Sequence, residues 1–139
     1  MPEEVAIMYN ATVLIADDSS DIRTVVKYSL IDHGFQVIEA SNGYEAIQLA
    51  RQYRPTVILL DLCMPGIDGW EVTLQLRSDP ALDEVPIIAM TAYDISSAIR
   101  AAQTAGCQQV IAKPFDLFDI AKAVSHFAAP HAELIAHYA

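Results

Sequence analysis

The strongest constraint on the fold is a fivefold alternation of short apolar runs with longer amphipathic stretches. Runs such as ATVLIA and TVILL are continuously apolar, which is typical of strands that are covered on both faces. The amphipathic stretches repeat their apolar residues at helical spacing. Regular alternation of this kind predicts a parallel sheet with helices on both faces. The predicted strands are 11–16, 35–39, 56–60, 85–90 and 109–112, and the helices that follow them end near 33, 54, 77, 105 and 128.

The length of the chain fits a single domain. A domain of 139 residues can bury a substantial core without a disulfide or a structural metal. We assign residues 1–10 to an N-terminal extension, 11–128 to the domain and 129–139 to a C-terminal tail. Because Pro130 is expected to end the last helix, this tail is predicted to be either one more short helix or an irregular end.

Composition excludes several classes of function. The net charge is −10, so the electrostatic field of the chain repels nucleic acid phosphates. No apolar stretch is long enough to cross a bilayer, and the acidic N-terminal segment lacks the features of a leader peptide. We therefore predict no nucleic acid partner, no membrane contact and a cytoplasmic location. Cys63 and Cys107 do not have zinc-site spacing and are expected to be reduced, largely buried thiols.

Polar residues follow four of the five predicted strands. The pair Asp17-Asp18 follows the first strand, Asp61 the third, Thr91 the fourth and Lys113 the fifth, whereas the second ends in Glu39 and Ala40 with nothing comparable. Since ligands of open α/β sheets bind outside the carboxyl ends of the strands, we expect these side chains to meet at one edge.

Three carboxylates gathered at one edge repel one another and need compensating positive charge. Lys113 supplies one such charge, and a hard divalent cation would supply more; Mg²⁺ prefers a few carboxylates together with water and phosphate oxygens. Taken singly, Asp18 and Thr91 could be helix caps and Lys113 a solvated amine. Their joint position at the ends of four strands favours a functional site.

With these motifs in place, the chain resembles the receiver domains of bacterial two-component systems over about residues 10–128. The resemblance rests on the acidic pair, on Asp61 followed by MPGIDGWE, on Thr91-Ala92 and on Lys113-Pro114-Phe115. It implies a flavodoxin-like, doubly wound sheet of five parallel strands in the order 2-1-3-4-5, with five flanking helices.

The resemblance also implies a role for each site residue. Asp61 would accept a phosphoryl group from a histidine kinase or a histidine phosphotransfer protein. Asp18, Asp61 and the backbone carbonyl of Cys63 would bind Mg²⁺, with Asp17 acting mostly through a metal-bound water. Lys113 and Thr91 would contact the phosphoryl oxygens, and a downstream protein would bind the surface around Ile95–Ala128.

Two positions depart from the family pattern. Val110 stands three residues before Lys113, where these domains commonly carry an aromatic switch residue, and a β-branched side chain cannot swing in the same way. Tyr93 either takes over this role or only lies over the rim of the site, in which case the readout relies on backbone shifts. Neither Cys63 nor Tyr93 is a good water-orienting base, so we expect slow loss of the phosphoryl group.

Three enzyme or cofactor-binding classes share part of this pattern but lack a required motif here. A haloacid-dehalogenase-type phosphatase normally has a second Asp where Cys63 stands, a flavodoxin needs a Ser/Thr/Gly-rich phosphate loop, and a P-loop enzyme needs its own motif. The more serious alternative is a phosphate-independent interaction module on the same fold, although such modules usually lose one of the acidic or lysine positions. The chain is expected to be an intact single-domain protein, with a receiver fragment of a larger hybrid kinase or regulator as the alternative.

Overall fold

The computed structural model describes residues 3–92 and 95–138, and side chains for residues 10–92, 96–97 and 99–132. Its elements in chain order are β1 (Glu3–Tyr9), β2 (Thr12–Ala16), α1 (Ser20–Asp32), β3 (Gln36–Ala40), α2 (Gly43–Tyr53), β4 (Val57–Asp61), α3 (Gly69–Arg77), β5 (Ile87–Thr91), α4 (Ile95–Ala105), β6 (Gln109–Ala112), α5 (Leu117–Ala128), a 3-10 turn (Ala129–His131) and β7 (Ala132–Tyr138).

The main sheet has the predicted topology. Its five parallel strands lie in the order β3-β2-β4-β5-β6, which is 2-1-3-4-5 when they are counted along the chain. All five residues of the central strand β4 are buried, as its apolar run predicted. Among the described residues, no helix is both long and apolar enough to cross a membrane.

The core consists of two layers, one on each face of the sheet. Successive strand residues point to opposite faces, so Ile58 and Leu60 belong to one layer while Val57 and Leu59 belong to the other. The first layer is completed by α2, α3 and α4, and the second by α1 and α5. Helix residues of the two layers include Ala46, Ala50, Val72, Leu76 and Ala102 on the first side and Val26, Leu30, Ile120 and Val124 on the second.

The two ends of the chain form a feature that the sequence analysis missed. β1 and β7 pair as an antiparallel ribbon, in register from Glu3 opposite Tyr138 to Tyr9 opposite Ala132. The tail after Pro130 is therefore a strand, and the prediction of a short helix or an irregular end was wrong. A seven-residue helix would be marginal by itself. The N-terminal segment instead lies nearby and supplies free backbone groups for strand pairing. A hydrogen bond from the Asn10 amide to the His131 carbonyl (3.0 Å) continues this pairing beyond Tyr9.

Gly69 fixes the path of the loop that follows β4. Its amide donates to the Leu62 carbonyl (3.2 Å), and it opens α3 directly after the capping residue Asp68. A Cβ at this position would lie 2.5 Å from the Leu62 Cα and 2.9 Å from the Asp61 carbonyl oxygen. The close approach of two backbone segments therefore requires glycine here.

We predict that Gly69→Ala lowers the free energy of unfolding by roughly 2 kcal/mol, because the added methyl meets backbone atoms that cannot rotate away. Urea denaturation followed by circular dichroism measures the change. Gln48→Ala, on the exposed face of α2, serves as the control and should stay within about 0.5 kcal/mol of the parent chain. A Gly69→Ala protein as stable as this control would contradict the packing argument.

Candidate functional site

Asp61 is the last residue of β4 and lies in the middle of the carboxyl edge of the sheet. Only 3% of its surface is exposed. One carboxylate oxygen, Oδ1, accepts a hydrogen bond from the Cys63 amide at 2.9 Å, and the other, Oδ2, lies 3.3 Å from the Lys113 ammonium. The side chain is thus held from two sides in a largely dry environment.

The acidic pair lies next to Asp61, directly after β2. Asp17 is fully buried, whereas Asp18 is exposed. Asp17 Oδ1 accepts from the Ser19 amide at 2.9 Å, and Oδ2 accepts from Lys113 Nζ at 2.8 Å. Carboxylate oxygens of Asp17, Asp18 and Asp61 lie within 4.8 Å of one another. The expected convergence of three carboxylates is therefore present in the structure.

Lys113 reaches this cluster from the end of β6. Its ammonium contacts both buried carboxylates, and its backbone amide donates to the Thr91 carbonyl at 2.7 Å. The Lys113-Pro114 peptide is cis. Thr91 ends β5 and is fully buried. In the β4–β5 register Asp61 lies opposite Met90, so Thr91 stands one residue beyond it at the same edge.

Burial dominates the electrostatics of the site. It raises the pKa of Asp61, and the charge of Asp17 adds to the rise, while the Cys63 amide and Lys113 only partly oppose it. Burial by itself would lower the pKa of Lys113, but the hydrogen bond and charge of Asp17, together with the charge of Asp61, outweigh it and the pKa is raised. The lysine therefore stays charged, and an ionised Asp61 costs folding free energy.

The donor set of this cluster suits a hard cation. Carboxylate oxygens are the ligands that Mg²⁺ and similar ions prefer, and a single ammonium does not balance three negative charges. Asp18 is the exposed member, so the cluster opens to solvent on its side. The side chains present therefore fit a divalent metal bound with water.

The structure describes one of the two residues that depart from the family pattern. Tyr93 lies outside the described residues. Val110 is half-buried in β6, opposite Ala89, and packs against the core layer on the side of α2, α3 and α4. The expectation that both thiols are buried holds for Cys107 but was wrong for Cys63, whose side chain is exposed in the loop next to Asp61.

Two charged residues beside the acidic pair were not among those predicted from the sequence. Arg23, in α1, donates from Nη1 to the Asp17 carbonyl at 2.7 Å, and its Nε lies 3.3 Å from Glu39 Oε1. Glu39 ends the second predicted strand, the one strand that is not followed by a comparable polar residue. A carboxylate near the end of a short apolar strand was the one sequence signal that pointed to Glu39. An ion pair between separate elements produces no periodic pattern, so the contact with Arg23 itself could not be predicted.

We predict that Asp61→Asn stabilises the metal-free protein at neutral pH by roughly 1 kcal/mol, because the variant removes a buried charge and keeps an acceptor for the Cys63 amide. Because the pKa of Asp61 is raised in the folded protein, ionisation of this residue lowers the free energy of unfolding as pH rises above the ordinary value of 3.8. The gain should therefore vanish below that pH. Thermal unfolding in a chelating buffer, measured across the pH range, tests both points, and a less stable variant at pH 7 would contradict them.

Comparisons with known proteins agree with this geometry. The family model of the response regulator receiver domain matches residues 13–125. Protein PilH of Pseudomonas aeruginosa is 34% identical over 115 residues, which make up 83% of this chain and 95% of that protein. Sporulation initiation phosphotransferase F of Bacillus subtilis is 34% identical over 121 residues, covering 86% and 95% of the two chains.

Solved structures point to the same family. The chemotaxis response regulator CheY4 of Vibrio cholerae matches with a TM-score of 0.80 at 30% identity, over 84% of this chain and 98% of that one. The fold, the strand order and the sequence matches thus agree over nearly the whole domain. The chain belongs to the response-regulator receiver family, the signalling domains of two-component systems and phosphorelays.

Proposed function

We propose that Asp61 accepts a phosphoryl group from the phosphohistidine of a histidine kinase or a histidine phosphotransfer protein. The observation that carries this assignment is the setting of Asp61. Its carboxylate is buried at the sheet edge, held by an amide on one oxygen and an ammonium on the other, with two further carboxylates beside it. A purely structural aspartate would not need so costly an environment.

In the proposed transfer, a carboxylate oxygen of Asp61 forms a bond to phosphorus as the bond from phosphorus to the imidazole nitrogen breaks. The imidazole then takes up a proton. A carboxylate is a weak nucleophile, so the rate must come from placement and from compensation of the phosphoryl charge. The Cys63 amide holds the Asp61 side chain in place, and Lys113, at 3.3 Å, meets the incoming negative charge.

Mg²⁺ is the metal that we propose for the acidic cluster. Asp18, Asp61 and the Cys63 backbone carbonyl would hold it, with Asp17 acting mostly through a bound water. Two observations support this division: Asp18 is exposed whereas Asp17 is fully buried, and Lys113 Nζ lies closer to Asp17 (2.8 Å) than to Asp61 (3.3 Å). When bound, Mg²⁺ supplies positive charge that balances the carboxylates and the phosphoryl oxygens.

Thr91 is the residue that we propose as the sensor of the phosphoryl group. Its backbone is already joined to Lys113 through the hydrogen bond of 2.7 Å, so the ends of β5 and β6 are linked. A new dianion that engages both side chains would pull on both strand ends together. The downstream protein would read this change on the surface of α4, β6 and α5, around Ile95–Ala128.

In this role the protein would be a switch and would not be an enzyme that acts on a separate substrate. It would catalyse its own phosphorylation and the later hydrolysis, and it would signal by protein contact. The main alternative, a phosphate-independent module, is disfavoured because the acidic, threonine and lysine positions are all retained. A cytoplasmic location, where a kinase domain could reach it, stays a prediction.

The central assignment is tested with a small phosphodonor. With acetyl phosphate and MgCl₂, we expect intact mass spectrometry to show one added phosphoryl group on the parent chain and none on Asp61→Asn, since an amide cannot act as the acceptor. Asp83→Asn, an exposed aspartate at the other end of the sheet, is the matched control and should be labelled normally. Equal labelling of Asp61→Asn would refute the assignment.

The lifetime of the phosphorylated form is a separate prediction. Cys63 is exposed next to Asp61 but does not orient water well. After removal of the donor, the parent chain should keep its phosphoryl group for minutes or longer, and Cys63→Asn should lose it at least several times faster because an amide can hold a water. Cys63→Ala is the control for side-chain size. Loss from the parent chain within seconds would show that Cys63 does not limit hydrolysis.

A further inference from the structure

Asp17 is held at four of its polar atoms. Its amide donates to the Ala40 carbonyl at 3.1 Å, and its carboxylate oxygens accept from the Ser19 amide and from Lys113. The fourth contact is made by its carbonyl oxygen, which accepts from Arg23 Nη1 at 2.7 Å. Three of these contacts come from the loop, the neighbouring strand and the lysine of the site, whereas Arg23 comes from α1.

Arg23 is itself held in place. Its side chain is only 16% exposed, and its Nε lies 3.3 Å from Glu39 Oε1 in β3. The second oxygen of Glu39 lies 3.5 Å from the Lys27 ammonium. The planar guanidinium therefore bridges two elements, with one nitrogen directed at a backbone carbonyl and another at a carboxylate.

The carbonyl that Arg23 holds belongs to the peptide bond between Asp17 and Asp18. A peptide unit is planar, so the direction of this carbonyl sets the direction of the amide of Asp18 and the course of the chain into that residue. Asp18 is exposed, and none of the described residues donates a hydrogen bond to its carboxylate. The position of this carboxylate is therefore set mainly by the backbone of Asp18, and Arg23 holds the carbonyl that directly precedes it.

We propose that Arg23 is a positioning residue for the metal site, which orients the peptide between the two aspartates while Glu39 orients the guanidinium. The proposal rests on the proposed function, because it assumes that the acidic cluster binds Mg²⁺. Arg23 acts through the backbone of its neighbours and does not touch the metal or the phosphoryl group.

A different role for Arg23 gives the opposite expectation. If its charge alone mattered, the guanidinium would compete with the metal as a counter-ion to the carboxylates, and its removal would strengthen Mg²⁺ binding. If its bridging geometry matters, removal of the bridge weakens binding even when the charge is kept. Arg23→Lys separates the two, because an ammonium keeps the charge but cannot present two fixed donors to the carbonyl and to Glu39.

The test is titration of the purified full chain with MgCl₂ by calorimetry. Arg23→Lys and Arg23→Gln should both raise the Mg²⁺ dissociation constant roughly tenfold, as is usual when a partner behind the metal ligands is removed. Glu39→Ala, which leaves the Arg23–carbonyl bond but frees the guanidinium, should cause a smaller loss in the same direction. Arg51→Gln is the matched control, since Arg51 pairs with Asp79 at 3.6 Å in another part of the surface, and it should bind as the parent chain does.

A second readout separates positioning from stability. The rate of phosphorylation by acetyl phosphate at saturating MgCl₂ should recover most of the parent value in Arg23→Lys, because excess metal compensates for a weaker site. Unchanged or tighter Mg²⁺ binding in both Arg23 variants would overturn the proposal. Should Arg23→Gln fail to fold, Arg23→Lys and Glu39→Ala decide the matter by the same criterion. A parent chain that binds no Mg²⁺ would instead overturn the proposed metal site itself.

Discussion

Repulsion among three neighbouring carboxylates is the constraint on which the rest of the site depends. Asp17 and Asp61 are buried, so water cannot screen their charges, and the ammonium of Lys113 lies against both. A lysine can occupy that position only because β6 ends beside β5, which in turn ends beside β4. The strand order therefore places the one ammonium between the two buried carboxylates, and the cluster keeps an unbalanced negative charge of the kind that a divalent cation compensates.

The site residues are held mainly by backbone groups. Amides of Ser19 and Cys63 fix one oxygen of each buried carboxylate, and the hydrogen bond from the Lys113 amide to the Thr91 carbonyl joins two strand ends. Backbone contacts of this kind cost little entropy when the sheet is formed, so the site is largely pre-organised. The main energetic cost of the site is the ionised carboxylate of Asp61, because burial disfavours its charge more than the nearby amide and ammonium favour it.

Much of the fold and of the acidic cluster could be predicted from sequence, because each depends on local signals. Continuous apolar runs marked the five strands, and polar residues at the strand ends marked Asp17, Asp18, Asp61 and Lys113. The ribbon could not be predicted, since the pairing of Glu3 with Tyr138 joins opposite ends of the chain. The contact between Arg23 and Glu39 could not be predicted for a related reason. It links a helix to a strand, and neither residue is unusual in its own segment.

The ribbon of β1 and β7 has a consequence for how this domain could be combined with other proteins. It is connected to the start of β2 and to the end of α5, both of which lie at the amino edge of the sheet, opposite Asp61. Because Glu3 lies opposite Tyr138, the two strands of the ribbon have their outer ends side by side. A host protein that carried such a domain in one of its loops would therefore leave the edge with Asp61 uncovered.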